Sequence, residues 1–260
     1  MRVRDLLKQA SLDGNDLQLI ILDEIAPGRD KSFLVTNDEQ ELAKEQLENI
    51  EYKIAQRRAG VPLAYILGYK EFYGYRFLVD DRVLVPRPET EVLVDLVAEL
   101  EPETILEVGT GSGCIAITLA LELPKATVIA TDISSDALNL ARNNADSLSA
   151  RVDFIGSDLL NAVQMEVDVI VANLPYVDET WDFVDKKQLK YEPARALYAD
   201  DGGLALIKKL INQVAEHRCA KYLVLEADPC QHAKIIEYAE KKGLGIVKKQ
   251  DFGLVFALNR

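Results

Sequence analysis

The stretch TILEVGTGSGCIAITLALEL, Thr104–Leu123, decides the fold of this chain. Its first residues are apolar or branched, as in a strand buried on both faces, and the apolar run after the last glycine is typical of a helix. Three glycines lie between the two, where glycine permits positive φ and a close approach of the backbone to a ligand. A glycine-rich turn alone is weak evidence, so a tight structural turn is the alternative interpretation.

The strand-turn-helix pattern continues after this stretch. Strands are predicted at TVIATD, VDFIGSD, VDVIVAN and YLVLEA, with helices near residues 203–216 and 231–242, and the tail GIVKKQDFGLVFALN offers two more strands. Strands that alternate with helices predict an α/β fold with a mostly parallel sheet covered on both faces. The last two strands could form an antiparallel pair at one edge.

The first third of the chain has a different pattern. Apolar stripes predict helices over residues 1–60, and the last of them could begin near Asn37 or Asp38. Alternating aromatic and branched residues over Glu71–Val85 predict a β-hairpin, after which two prolines open a helix at Glu89–Leu100. These patterns divide the chain into a helical domain over residues 1–70, a β-hairpin linker over 71–86 and a larger domain over 87–260.

Composition excludes several classes of protein. The 260 residues are 48% hydrophobic, as expected of a soluble globular chain. The longest uncharged stretch, Val108–Leu121, is too short to span a bilayer, and the first ten residues lack the apolar segment of a secretory signal. The three cysteines form no CxxC pair, which favours reduced thiols in a cytoplasmic protein and no metal site.

The charge distribution bears on the partner. Residues 1–86 carry a net charge of −3 and residues 87–260 carry −10. Such a field repels a phosphate backbone unless a local basic patch counters it. We therefore expect no direct binding to nucleic acid and favour a basic protein partner.

The pattern E-x-G-x-G-x-G, with an aspartate at the end of the next strand, resembles motif I of class I S-adenosylmethionine-dependent methyltransferases. The aspartate, Asp132, could accept hydrogen bonds from both ribose hydroxyls of a nucleoside cofactor. In that fold Asp158 borders the adenine, although aspartate at this position is also a favoured helix N-cap. The resemblance implies S-adenosylmethionine as cofactor, contacted by Glu107, Gly109, Thr110, Gly111, Ser112, Gly113, Asp132, Ile133, Asp158, Leu159 and Asn173.

The fourth strand of the large domain ends on an unusual group, Asn173-Leu174-Pro175-Tyr176. An amide nitrogen is a poor nucleophile, so it must be held in line with the methyl group that it attacks. Asn173 Oδ1 and the Leu174 carbonyl could accept its two hydrogens, while Pro175 stiffens the turn and Tyr176 offers a flat stacking face. A plain turn is the alternative, since Asn and Pro are common turn residues.

These four residues resemble the [DNS]-P-P-[YFW] motif of amino-methyltransferases, and NLPY also occurs in ribosomal-RNA adenine dimethyltransferases. The stretches Pro62–Glu91 and Tyr191–Leu197 are similar to release-factor glutamine methyltransferases, the HemK/PrmC family. This resemblance implies a Rossmann-like, seven-stranded domain, a helical domain that grips the release factor, and N5-methylglutamine as product in a Gly-Gly-Gln loop. It also implies that Arg87 and Glu89 shape the glutamine pocket, where a surface ion pair and a helix-terminal charge are the alternatives.

The chain departs from the family pattern at two places. Leu174 replaces a proline, and Glu226 is followed by Ala227, Asp228 and Pro229 where the family often has Glu-x-Gly. Three other functions stay open: methylation of a glutamine of ribosomal protein L3, methylation of adenine N6 in nucleic acid, and cofactor binding without turnover. An adenine would have to be flipped onto Tyr176 and would need a basic groove for its backbone.

Overall fold

The computed structural model describes residues 1–9, 12–182 and 189–258. The chain divides into two compact units, Met1–Gly68 and Tyr69–Arg260. No helix in the described ranges is long and apolar enough to cross a membrane.

The first unit is helical. Its core consists of buried aliphatic side chains such as Leu17, Ile20 and Ile50. The helix predicted to begin near Asn37 begins instead at Lys44, because Asn37 N–H bonds to the Phe33 carbonyl and ends the preceding helix. The helices are α1 (Val3–Gln9), α2 (Gly14–Ile25), α3 (Ser32–Thr36), α4 (Lys44–Arg58) and α5 (Leu63–Leu67).

The second unit opens with the predicted hairpin, formed by β1 (Tyr69–Phe72) and β2 (Tyr75–Leu78). The turn residues Tyr73 and Gly74 both have positive φ, 51° and 80°, as in the tight turns that match the twist of a hairpin. Residues 79–87, which the sequence pattern placed partly in the second strand, form turns and extended chain.

A seven-stranded sheet forms the centre of the second unit, with strand order β5-β4-β3-β6-β7-β9-β8. The strands β3 to β7 run parallel, whereas β9 pairs antiparallel with β7 and β8. The predicted mostly parallel sheet with an antiparallel edge is therefore confirmed. The strands are β3 (Thr104–Val108), β4 (Thr127–Asp132), β5 (Asp153–Gly156), β6 (Val167–Ala172), β7 (Ala220–Glu226), β8 (Leu244–Gln250) and β9 (Gly253–Leu258).

Helices cover the sheet because the central strands are apolar on both faces, and two separate buried clusters result. A 3-10 turn, Pro88–Thr90, leads into the first of these helices. The helices are α6 (Glu91–Ala98), α7 (Cys114–Glu122), α8 (Ser135–Leu148), α9 (Ala194–Leu197), α10 (Asp200–Gly203), α11 (Ala205–His217) and α12 (His232–Lys241).

The strand order reverses direction at β3. Successive strands β3, β4 and β5 build outward to one side, while β6 and β7 build to the other. In open parallel sheets the ends of strands diverge at such a switch point and leave a crevice for ligands. The glycine-rich turn follows β3 and Asn173 follows β6, so the topology brings the two predicted sites together.

Candidate active site

A cavity of about 370 Å³ opens at this switch point. Its size lies within the roughly 300–1,000 Å³ of sites for small molecules and cofactors. Most residues predicted to contact a cofactor line it, whereas Gly113 does not. The predicted residues in its wall are Glu107, Gly109, Thr110, Gly111, Ser112, Asp132, Ile133, Asp158, Leu159 and Asn173.

The glycine-rich turn is held against β4 by its backbone. Gly109 and Thr110 N–H both donate to the Thr131 carbonyl, at 2.8 and 2.9 Å. A Cβ on Gly111 would meet no atom within 4 Å, so its backbone is open to a ligand in the cavity. Gly113 serves packing instead, because its φ is +83° and a Cβ there would lie 2.8 Å from Ile117 Cδ1.

Asp132 ends β4 with its carboxylate oriented by two backbone amides. Gly111 N–H donates to Oδ2 at 2.9 Å, and Ser134 N–H donates to Oδ1 at 2.8 Å. Each oxygen keeps a second acceptor site, since a carboxylate oxygen accepts more than one hydrogen bond. Two parallel acceptors at the cavity wall suit a pair of vicinal hydroxyls, such as those of a ribose.

Glu107 lies in the floor of the cavity and is 1% exposed. Burial raises the pKa of its carboxyl to about 8, although hydrogen bonds from Thr110 Oγ1 and Ala116 N–H oppose the shift. The carboxyl therefore ties the turn after β3 to the first turn of α7.

The loop after β5 contributes an apolar wall to the cavity. Leu159 is buried with a positive φ of 50°, and Ile133, which also lines the cavity, is 70% exposed. Ser157 Oγ accepts from Ala162 N–H in this loop, and Asp158 Oδ2 pairs with Lys209 Nζ at 2.6 Å. Two aliphatic side chains beside a carboxylate form a surface suited to a planar, amine-bearing ring.

The turn after β6 presents Asn173, Leu174 and Pro175 to the cavity, while Tyr176 lies outside its lining. Asn173 Nδ2 donates to Thr90 Oγ1 at 3.1 Å, which leaves Oδ1 as its available acceptor. The Leu174 side chain is buried, and its Cδ2 lies 3.1 Å from the position of a Cβ on Gly109. Leucine in place of proline therefore packs the two ligand-facing turns together.

Tyr176 is anchored at both its hydroxyl and its carbonyl. The hydroxyl donates to Glu226 Oε1 at 3.0 Å, and the carbonyl accepts from Gln231 Nε2 at 2.9 Å. Gln231 Nε2 also donates to the Gly202 carbonyl at 2.8 Å. Gly203 follows with φ +79°, and a Cβ there would lie only 1.9 Å from the Tyr176 oxygen.

Two arginines stand in the cavity wall. Arg87 pairs at 2.5 Å with Glu192, whose other carboxylate oxygen accepts from Val85 N–H. Arg195 donates to Ser134 Oγ at 3.0 Å. Glu89 is exposed and does not line the cavity, but its charge raises the pKa of both Tyr176 and Glu226.

Several residues that organise this site are not predicted from the sequence to contact a ligand. Asn144 of α8 donates to the carbonyls of Leu78 and Ser112, so it joins the hairpin to the glycine-rich turn. These partners are distant in sequence and have no short spacing by which to recognise them. The other residues of this kind are Thr90, Ser134, Arg195, Gly203, Glu226 and Gln231.

Comparison with known proteins decides the family. Residues 88–217 match the model of the methyltransferase small domain, and residues 1–68 match that of the PrmC N-terminal domain. The chain is 46% identical to a release factor glutamine methyltransferase of Koribacter versatilis, over 72% of this chain and 70% of the relative. The chain belongs to the release factor glutamine methyltransferase family. Relatives of the same description in Enterococcus faecalis (72% of this chain, 69% of the relative) and Escherichia coli (74% and 72%) are 39% and 36% identical.

Membership makes the chain an enzyme, a methyltransferase that uses S-adenosylmethionine. Solved structures share the fold at low identity. A methyltransferase from Pyrococcus furiosus has a TM-score of 0.55 at 18% identity and covers 84% of this chain and 100% of its own. A 16S rRNA methyltransferase of T. thermophilus with AdoMet and guanosine has a TM-score of 0.53 at 18% identity, over 74% and 50%.

Proposed function

We propose that this chain methylates the side-chain amide nitrogen, N5, of the glutamine in the Gly-Gly-Gln motif of peptide chain release factors. The observation that carries the proposal is the pair of open acceptors at the turn after β6. Asn173 Oδ1 and the Leu174 carbonyl accept no hydrogen bond from the described residues, and both residues line the cavity beside the glycine-rich turn. A primary amide has two N–H groups to place on two such acceptors.

The cavity residues fit the cofactor. Asp132 would accept from the ribose hydroxyls, Ile133 and Leu159 would enclose the adenine, and the glycine-rich turn would carry the methionyl part. Asp158 would accept from the adenine amine, although its salt bridge with Lys209 leaves only part of the carboxylate available. Glu107 supports this wall from below by holding the turn in place.

When bound, S-adenosylmethionine supplies an electrophilic methyl carbon on a sulfonium. Transfer would join that carbon to the glutamine nitrogen as the carbon–sulfur bond breaks, and the nitrogen would release one proton to solvent. Asn173 and Leu174 hold the amide so that its nitrogen lone pair points along the reaction axis. Tyr176, fixed by Glu226 and Gln231, supports the face of the planar amide.

The residues orient the nucleophile and do not deprotonate it. Correct orientation and proximity contribute up to roughly 7–11 kcal/mol to catalysis in favourable cases. The turn is rigid enough for this role because both ends of Tyr176 are hydrogen-bonded and Leu174 is buried. Arg87, held by buried Glu192, would bind a carbonyl of the release-factor loop.

The helical unit is proposed to recognise the release factor. This assignment is supported by the match of residues 1–68 to the PrmC N-terminal domain. We propose a cytoplasmic location, where release factors act, and no direct nucleic-acid binding, since residues 87–260 carry a net charge of −10. The hairpin linker and the methyltransferase domain over 87–260 complete the proposed organisation.

The test is incubation of the chain with labelled S-adenosylmethionine and one of three substrates: a release factor, ribosomal protein L3 or RNA. Mass mapping should place the label on the glutamine of the Gly-Gly-Gln motif. A factor with glutamate at that position is the matched control and should stay unlabelled. Label on L3 or adenine alone, or on no substrate, would overturn the proposal.

A further inference from the structure

The Asn173 amide can face the cavity in two ways. With Oδ1 inward it accepts a hydrogen bond from the amide of the substrate glutamine. With Nδ2 inward, the Asn173 N–H group would face the N–H group of that glutamine, and no hydrogen bond could form. The structure has Nδ2 bonded to Thr90 Oγ1, which leaves Oδ1 as the acceptor that Asn173 can offer to the cavity it lines. The hydrogen-bonding state of the Thr90 hydroxyl therefore fixes this orientation, and Thr90 as a whole is 2% exposed.

A buried carboxyl lies next to this pair. Glu226, the last residue of β7, is 1% exposed and accepts the Tyr176 hydroxyl at Oε1. Its other oxygen, Oε2, is buried without a hydrogen bond of ordinary geometry from the described residues. Thr90 and Asn173 lie close enough for their side chains to stabilise the charge of this carboxylate.

We propose that Glu226 is a positioning residue that sets the orientation of the Asn173 amide through the hydroxyl of Thr90. The proposal rests on the proposed function, because it concerns the acceptor for the glutamine amide. An ionised carboxylate only accepts, so the Thr90 proton points to Glu226 and the Thr90 lone pair is left for Asn173 Nδ2. The same carboxylate fixes the Tyr176 ring.

Protonation of Glu226 reverses the direction of the hydrogen bonds that link Glu226, Thr90 and Asn173. A neutral carboxyl can donate to Thr90 Oγ1, whose proton is then available for Asn173 Oδ1. That bond favours the flipped amide, with Nδ2 toward the substrate. Turnover should therefore require the ionised form, while the cofactor contacts at Asp132 and the glycine-rich turn stay unchanged.

The surroundings of Glu226 place this change near neutral pH. Burial raises its pKa to about 7, with the nearby Thr90 hydroxyl, the hydrogen bond from Tyr176 and the Asn173 amide opposing the shift and the charge of Glu89 adding to it. The titratable and charged groups near it among the described residues are Glu89 on the 3-10 turn, Tyr176 after β6 and Cys114 on α7, and Asp228 beyond β7 acts on Tyr176. No cationic partner occurs in this set.

The test measures kcat on a release factor at saturating S-adenosylmethionine between pH 5.5 and 8.5. Below the transition near pH 7, the wild type should lose about tenfold per pH unit. E226Q should lose about ten- to a hundredfold at pH 8, because a side-chain amide can donate to Thr90, and its profile should be flat. Cofactor affinity should stay within about twofold, which separates Glu226 from Glu107 in the cofactor wall.

Two substitutions of Thr90 test the same proposal independently of Glu226. T90V removes the hydroxyl at nearly constant shape and should lower kcat and flatten the profile, whereas T90S should recover most of the loss. D168N changes the second residue of β6, at the opposite end of that strand from Asn173, and should keep both kcat and the pH profile. If E226Q does not fold, the T90V and T90S pair decides the matter alone.

The outcomes separate the two proposals. A wild-type chain that labels no glutamine overturns the proposed function and this inference with it. Wild-type labelling with a pH profile that persists in E226Q or T90V overturns the inference alone. A flat profile in both variants, with unchanged cofactor affinity and recovery in T90S, supports it.

Discussion

Replacing Gly203 by alanine tests whether the close packing of Gly203 against the Tyr176 carbonyl positions the turn after β6. The added Cβ would lie 1.9 Å from the Tyr176 oxygen and 2.6 Å from Gln231 Nε2. A backbone oxygen cannot approach a carbon that closely, so the Tyr176 peptide must retreat by about 1 Å or more. Displacement of this size at a reacting site can lower turnover about a hundredfold.

The structure also contains the matched control. Gly202 has a positive φ as well, +66° against +79° for Gly203, but its Cβ would meet only Asp178 Oδ2 at 3.6 Å. Alanine in a left-handed conformation costs about 1–2 kcal/mol at either position. G203A should lose a further 1–3 kcal/mol or so, because the buried Gln231 amide loses its acceptors.

Both variants can be measured by thermal unfolding and by methyl transfer to a release factor. At about 2–4 °C per kcal/mol for a unit of this size, G202A should lower Tm by about 2–8 °C and G203A by several degrees more. G202A should keep its kcat within a few-fold, while G203A should lose about two orders of magnitude. Equal turnover in the two variants would refute the idea that the Tyr176 carbonyl contact positions the turn.

Three further predictions address the cofactor and substrate sites. N173A should reduce kcat by about a hundredfold or more with little change in cofactor affinity, because it removes one of two alignment acceptors; near-normal turnover would contradict that role. D132A should weaken S-adenosylmethionine binding by roughly 1–3 kcal/mol, and unchanged affinity by calorimetry would show that the ribose binds elsewhere. Burial raises the pKa of Glu107 to about 8 from 4.5, so the folded state holds its proton more tightly than the unfolded chain. The stability contributed by this proton is complete below about pH 4.5 and is lost as pH rises toward 8. Denaturant titrations should show E107Q losing less stability than the wild type across that window, and parallel curves would argue against the assignment.

The order of elements was already present in the sequence. Alternation of apolar strands with helices specifies a parallel sheet because strands buried on both faces need helical cover. The glycine-rich turn, Asp132 and Asn173 are predictable because each ends a strand or directly follows one in the chain. The residue type itself marks such positions, because glycine permits positive φ and a carboxylate or an amide at a strand end can bind a ligand. The predicted start of α4 was wrong. Asn37 and Asp38 are residue types that often cap the beginning of a helix, but Asn37 ends the preceding helix.

Only the tertiary structure decided how these groups are supported. Thr90, Glu226 and Gln231 reach the turn after β6 from three different elements, with separations along the chain of 83, 50 and 55 residues for the bonds concerned. Hydrogen bonds between residues so distant leave no periodicity and no spacing, because they arise when strands β6 and β7 pair and bring their ends together. The sequence determined which groups could react with or bind a ligand, and the packing of the sheet determined which way those groups face.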